Sequence, residues 1–282
     1  MNTITDVLKF IHDRDNDVKF VRLAFCDANG VPKNISVPPA TLDAAFKNGM
    51  RFEPQAIPGF GAEYAEAYLF PDAATLAILP WRPSHGRVVR FYCDIKLADG
   101  TPAPFDARAS LKRAIADADK AGLTFTAEPE IDFYLFKSEE DGENRGVTFD
   151  NGGYFDVYPN DMGENVRREI CSHLTEMGIT PTSSHHARGA GQNTIALAAT
   201  DPLTCADNLL TFRMTVGTVA GQNGLAASFD EKPFKQPQAS EMKIKLGCAK
   251  RGDGGYTETV TPSVNPYTEM EKLVKSAVKY SG

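Results

Sequence analysis

The sequence predicts an α+β protein made of a small strand-rich domain followed by a larger domain in which helices alternate with strands. Three observations predict it. Short alternating apolar runs, punctuated by Asn-Gly, Asp-Gly and proline, fill residues 20 to 97. Amphipathic helical stretches with further alternating runs between them begin after residue 105. A length of 282 residues can bury a substantial core, as one large domain or two moderate ones.

In the first zone the strand signals are "FVRLAF", then "VPKNISV" after the turn "DANG", then "AYLFPD", "TLAILPW" and "RVVRFYCDI". A helical stretch, "ATLDAAFKNG", interrupts them and stops at a glycine. In the second zone "DARASLKRAIADADKAG" puts Leu111, Ala114, Ile115 and Ala118 on one helical face, begins at a capping Asp106 and ends at Gly122. A second helix has Asp161 and Glu164 at capping-box spacing, carries Val166, Ile170, Leu174 and Met177 as its stripe, and ends at Gly178. A third follows Asp201-Pro202 and presents Leu209, Phe212, Val216 and Val219 for burial. Strands are expected between them at roughly 125 to 136, 180 to 197 and 225 to 246. One short amphipathic helix, "TEMEKLVKSAVKYSG", closes the chain.

A formal charge of -7, from 30 basic and 37 acidic residues, argues against a nucleic-acid partner, and no Lys/Arg stripe opposes that reading. The stretch "MNTITDVLKFIHDRDN" is too polar for a signal peptide, and no apolar run approaches a membrane span. A cytoplasmic protein without a membrane partner is expected. Cys26, Cys93, Cys171, Cys205 and Cys248 are odd in number, scattered and without a C-x-x-C pair, so reduced thiols are expected.

Candidate chemistry lies where strands carry polar groups. In "AEPEIDFYLF" the period of two points Glu130 and Asp132 to one face, about 7 Å apart, and Ile131, Phe133 and Leu135 to the other. Two carboxylates so placed can ligate divalent cations, or can be the solvated side of a half-buried strand. His185 and His186, in "SSHHARGAGQNTIAL", point to opposite faces, so at most one enters a given site. The same segment holds no Asp or Glu.

The motifs "VRLAFCDANGVPKNISVP", "RFEPQAIPGF", "YLFPD", "RFYCDI", "EIDFYLF", "GGYFDVYPNDMGENVRREI", "SSHHARGAGQN" and "ASFDEKPF" resemble, in order and spacing, those of glutamine synthetase over roughly residues 15 to 235. The resemblance implies an N-terminal β-grasp domain, here residues 1–104, and a catalytic domain with a curved antiparallel sheet, here a truncated one at 105–282. It also implies two Mg or Mn ions, ATP and glutamate, double rings of subunits, and nitrogen metabolism: ATP phosphorylates the glutamate side chain and ammonia displaces the phosphate, giving glutamine.

The chain departs from the family pattern at the metal positions. Glu130 and Asp132 stand at the Glu-x-Glu pair as vestigial metal ligands, but Ala187 replaces the glutamate after the two histidines and Thr194 the one after Gly191-Gln192-Asn193. One metal site thus loses two of its three carboxylates. Further on, Lys243 stands at the metal-ligating histidine and Lys245 at the nucleotide position; an ammonium cannot ligate a metal while protonated. The substituted lysines either neutralise charge without metal or form a solvated strand face. The resemblance also implies a mobile flap, a last metal-ligating glutamate, several C-terminal arginines and a ring-joining tail that this sequence does not carry. Glu53 lies at the acidic latch position, with Glu66 at a second acidic position of that loop, and Tyr154 lies at the tyrosine beside the ammonium pocket.

A glutamine synthetase-like protein that is catalytically inactive alone is therefore expected: a pseudoenzyme that serves as an interaction or regulatory subunit. The alternative is an active ATP-dependent ligase joining glutamate to ammonia or another amine. A full-length glutamine synthetase, or a separate chain that completes the site, is the expected partner, with self-assembly weaker than the family dodecamer.

Overall fold

The computed structural model describes residues 3–61, 63–82, 85–138, 144–250, 256–260 and 265–280. By compactness the chain forms two units, Met1–Lys120 with Val264–Gly282, and Ala121–Ser263. The division after residue 104 drawn from the sequence is a different partition, because compactness keeps the helix after it and the C-terminal helix with the first sheet.

The first unit begins with helix α1 (Ile4–His12), ahead of the first strand. Thr3 caps it by accepting from the Asp6 backbone N–H, and Val7 and Ile11, one turn apart, are its buried side. A hairpin of β1 (Val18–Cys26) and β2 (Pro32–Val37) turns on "DANG", where the Asp27 carboxylate accepts from the N–H groups of Asn29 and Val31. Helix α2 (Leu42–Asn48) stops at Gly49, whose φ of 73° suits glycine. Strands β3 (Met50–Phe52), β4 (Ala67–Pro71), β5 (Ala77–Ile78) and β6 (Arg87–Lys96) complete a sheet of order β2-β1-β6-β4-β3, with β5 also on β6. The β1–β6 pair is parallel and the others are antiparallel. Val21, Leu23, Val89 and Phe91 form the middle of its core. Helix α3 (Ala107–Lys120) starts where expected: Asp106 accepts from the N–H groups of Arg108 and Ala109, and buried Arg108 pairs with Asp72 and Asp94.

The second unit is an antiparallel seven-stranded sheet built on one long strand. Strand β7 (Leu123–Ser138) alternates buried and accessible residues up to Phe133, then is buried through Phe136. Strands β8 (Asn144–Thr148), β9 (Pro181–His186), β10 (Gln192–Leu197), β11 (Leu225–Ser228), β12 (Met242–Lys250) and β13 (Tyr256–Val260) give the order β13-β12-β7-β10-β9, with β8 and β11 also on β7. The two long strands expected at 180–197 and 225–246 are each split. The first breaks at Ala187–Gly191, where Gly191 takes a φ of 67°, and the second across 229–241, which carries a short 3-10 turn.

Helix α4 (Glu164–Glu176) buries Val166, Ile170 and Leu174 as expected, but not through a capping box. Its N-cap is Gly163, without a side-chain bond, because Asp161 is committed to Arg167. Helix α5 (Pro202–Gln222) is capped by Asp201, which accepts from Leu203 and Thr204, and buries Leu209, Phe212, Val216 and Val219. Helix α6 (Pro266–Tyr280) belongs to the first unit and packs against α3. Asn265 anchors it: its amide donates to the Asp27 carbonyl at 3.2 Å and its oxygen accepts from the Tyr267 N–H at 3.0 Å.

Candidate functional site

Strand register assembles the site. The pairing of β10 with β7 sets Thr194 opposite Asp132, and that of β9 with β10 sets His185 opposite Thr194. On the other side of β7, β12 sets Lys243 opposite Glu130 and Lys245 opposite Glu128. Paired residues share a face, so Glu130, Asp132, Thr194, His185 and Lys243 point the same way. The other face is apolar: Ile131 and Phe133 are buried, and the Phe133 ring meets Phe212 of α5 at 6.0 Å. A pocket of about 230 Å³ opens on the polar face and is lined by Glu130, Asp132, His185, Thr194 and Lys243, together with Tyr154, Ala187, Arg188, Gln192 and Glu241.

Inside it, the Thr194 hydroxyl donates to Asp132 Oδ1 at 2.7 Å and the Glu241 N–H donates to Asp132 Oδ2 at 3.2 Å. Partial burial still lifts the Asp132 carboxyl above the usual carboxylate range, because desolvation outweighs these bonds. Lys243 Nζ lies 3.2 Å from Glu241 Oε2. That hydrogen bond first, then the charges of Glu241, Glu130 and Asp132, hold the lysine above its ordinary value. Gln192 ties the walls, its oxygen accepting from the Gly189 N–H and its amide donating to the Ala239 carbonyl, both at 2.9 Å. The Tyr154 ring lies 3.9 Å from Phe155 and 5.5 Å, edge-on, from His185, with the Arg188 guanidinium 6.0 Å above it.

Behind this wall lies a buried charge network. Both ring nitrogens of His186 face acceptors: Nδ1 the Ala187 carbonyl and Nε2 Asp150 Oδ1, each at 2.9 Å. Asp150 also accepts from the N–H groups of Gly191 and Met162. An imidazole flanked by two acceptors satisfies both only as the doubly protonated cation. Burial pulls its pKa down, but the bonds to Asp150 and Ala187 and the Asp150 charge win and raise it. Burial likewise opposes ionisation of Asp150, and the His186 and backbone bonds overcome it and lower its pKa. Beside this pair, Arg167 donates to both oxygens of Asp161, at 3.0 and 2.5 Å, and to Asn193 Oδ1. Together they brace the segment 150–162, which carries Tyr154, against the β9–β10 turn.

Asp150, Asp161 and His186 could bring three ligand atoms within 4.8 Å of one another. Their chemistry argues against an ion there: Asp150 and Asp161 already accept from N–H groups, both ring nitrogens of His186 are turned to acceptors, and the Arg167 cation sits against Asp161. The pocket does not fit the Mg or Mn pair that the resemblance implies either. Ala187 offers no donor, the Thr194 hydroxyl is spent on Asp132, and an ammonium stands at the Lys243 position.

Of the residues singled out in the sequence, Glu130, Asp132, Tyr154, Ala187, Thr194 and Lys243 all line this pocket. Lys245 lies one step further along the same face of β12, 3.4 Å from Glu128. Glu53 and Glu66 belong to the first unit; Glu53 is exposed and precedes a short 3-10 turn, and Glu66 accepts from Arg51 at 2.8 Å. Arg188, Gln192, Glu241 and the brace of Asp150 and Arg167 were not singled out as site residues. Arg188 and Gln192 stand within the quoted histidine segment, whereas no local spacing marks Asp150 or Arg167.

Comparison with known proteins bears on what this architecture is. Residues 17–98 match the family model of the glutamine synthetase β-grasp domain, and residues 104–264 that of the glutamine synthetase catalytic domain. The chain is 39% identical over 257 residues to a glutamine synthetase of Clostridium saccharobutylicum, covering 91% of itself and 58% of that protein. It is 37% identical over 281 residues to one of Staphylococcus aureus strain MW2, covering 99% of itself and 61% of the relative. It thus spans about three fifths of the length of these relatives. A solved GmaS–ADP complex superposes with a TM-score of 0.77 at 25% identity, covering 90% of this chain and 57% of that one. The glutamine synthetase of Plasmodium falciparum superposes at 0.79 with 20% identity, covering 89% and 54%, a likeness of fold. With both of its domains matched in order and its pocket set on the central sheet of the second, this chain belongs to the glutamine synthetase family.

Proposed function

We propose that this chain is a glutamine synthetase-like protein that does not carry out metal- and ATP-dependent amide formation by itself and serves as an interaction or regulatory subunit. One observation carries the reading: at the head of the pocket a lysine faces Glu130 across the β7–β12 pair, and a threonine hydroxyl is bonded to Asp132, so two positions needed for divalent cations hold other chemistry. Phosphoryl transfer relies on cations to neutralise phosphate charge, and here an ammonium faces the pocket carboxylates, Ala187 offers no donor and the Thr194 hydroxyl is spent on Asp132. Its partner is a full-length glutamine synthetase of the same cell, or a chain that completes the site, met in the cytoplasm. Glu53 acts as a latch toward that partner, and Tyr154 remains from the ammonium side of an ancestral site.

The second reading is an active ligase of glutamate with ammonia or another amine. The names of the relatives favour it, as does the placement of Glu130, Asp132 and Tyr154 around one pocket. Assay of the purified chain with glutamate, ammonium, ATP and Mg or Mn decides between them. No glutamine above background is expected, and steady formation that disappears with Glu130→Gln establishes the ligase.

A further inference from the structure

We propose that the Lys243 ammonium is the resident cation of the pocket, a tethered charge that neutralises the Glu130, Asp132 and Glu241 carboxylates in place of a divalent metal ion. The inference rests on the reading above and adds to it what organises the site.

The geometry is that of a built arrangement. Among the pocket-lining residues the acids are Glu130, Asp132 and Glu241, and the bases are Lys243, Arg188 and His185. Arg188 is turned to the face of Tyr154, and the His185 ring packs on Tyr154 and Phe155 with Nδ1 against the His186 carbonyl, which leaves Lys243 as the base directed at the carboxylates. Lys243 enters from the position directly across the strand pair from Glu130, and its Nζ reaches Glu241, the residue whose backbone N–H holds Asp132. On the next rung Lys245 stands opposite Glu128 and pairs with it across the strands at 3.4 Å. Two lysines on one face of β12 thus stand opposite two glutamates on the same face of β7, Lys245 in contact with its glutamate and Lys243 turned to Glu241, at the positions where the family resemblance places ligands of metal and nucleotide.

A tethered cation differs from a bound one in three ways. It cannot be removed by a chelator, it is present at a high effective concentration because strand pairing delivers it, and it repels any divalent ion that approaches the same carboxylates. Like any lysine beside carboxylates, it is charged at neutral pH. A bland alternative exists, since half-exposed ion pairs contribute little to stability. The two differ in how the pocket responds to metal once the charge is removed.

The experiment titrates Mn²⁺ into the full chain, reading free Mn²⁺ by electron paramagnetic resonance and the unfolding midpoint by circular dichroism, with Mg²⁺ in parallel for the midpoint. The parent protein is expected to leave Mn²⁺ free into the millimolar range with no movement of its midpoint. Lys243→Ala, and Lys243→Gln as a neutral variant that keeps part of the aliphatic stem, are expected to bind Mn²⁺ about tenfold tighter or more, as removal of one positive charge beside a carboxylate cluster requires, and to gain a Mn²⁺-dependent rise in midpoint. Lys243→Arg is expected to behave as the parent. If both neutral variants are as indifferent to Mn²⁺ as the parent, the ammonium is only a solvated surface charge and the inference fails, while the proposed lack of ligase activity stands. Glutamine formation by the parent overturns that functional reading instead. A parent protein that binds Mn²⁺ as tightly as Lys243→Ala overturns the tethered cation.

Discussion

His186 Nε2 lies 2.9 Å from Asp150 Oδ1, and both side chains are buried, with 0% and 5% of their residues' surface exposed. The pair stabilises the fold only while both partners are charged. Asp150 is depressed from 3.8 and His186 is raised from 6.5. Its contribution is therefore complete between those two values, is lost on acidification as pH falls through the lowered Asp150 pKa, and is lost again as pH rises above 6.5 through the raised His186 pKa. Urea unfolding between pH 6.5 and 9 should show stability falling with pH, and His186→Gln should flatten that slope. A slope unchanged by the substitution would mean that the imidazole is neutral.

Removing one member of the neighbouring pair should cost more than removing both. Arg167→Met leaves the Asp161 carboxylate buried without its cation and is expected to destabilise by about 3 kcal/mol or more. Adding Asp161→Asn should recover part of that loss, because the uncompensated charge disappears. Midpoints of the two single variants and the double variant, with a constant slope in urea, give the coupling.

Rebuilding the lost donors should make the protein depend on metal. In Ala187→Glu with Thr194→Glu, two carboxylates enter the pocket near Asp132, and their repulsion should lower the unfolding midpoint in chelator. Mn²⁺ should restore it, and calorimetry should detect one new site. An unchanged midpoint in both conditions would show that the two positions do not converge on Asp132.

The β9–β10 turn is expected to tolerate no side chain at Gly191. A Cβ there would lie 2.7 Å from the Leu135 carbonyl oxygen, and the φ of 67° is already costly for other residues. Gly191→Ala should destabilise by about 1 to 3 kcal/mol through backbone strain. It should also loosen Asp150, which accepts the Gly191 N–H. Faster hydrogen exchange at Gly152 and Met162 in the variant would report that loosening.

Asn265 tests whether a single side chain seats the C-terminal helix. Asn265→Ala removes bonds to the Asp27 and Ala28 carbonyls and to the first turn of α6. A loss of about 1 to 3 kcal/mol is expected, since the first turn of α6 loses the acceptor of the Tyr267 N–H and the Asp27 carbonyl loses one of its two donors. Limited proteolysis should then cleave first within α6. Cleavage elsewhere with α6 intact would assign the anchoring to its apolar contacts with α3.

Local chemistry made much of this protein legible in its sequence. Asp106 and Asp201 announce helix starts because a carboxylate one residue ahead of free N–H groups accepts from them whatever lies further away. The alternation in "AEPEIDFYLF" sorts Glu130 and Asp132 from Ile131 and Phe133, because a strand has a period of two in any sheet. Tertiary structure decided the rest. Asp161, spaced for a capping box, was claimed by Arg167, since a buried guanidinium must have its carboxylate. Whether Lys243 stands opposite Glu130 on the polar face depends on the register between two strands more than a hundred residues apart, and a slip of one residue would turn it to the other face. The pairing of His186 with Asp150 likewise joins segments with no local relation, and it exists because folding buries both charges and leaves each the other's charge, besides its backbone hydrogen bonds, to offset the loss of water.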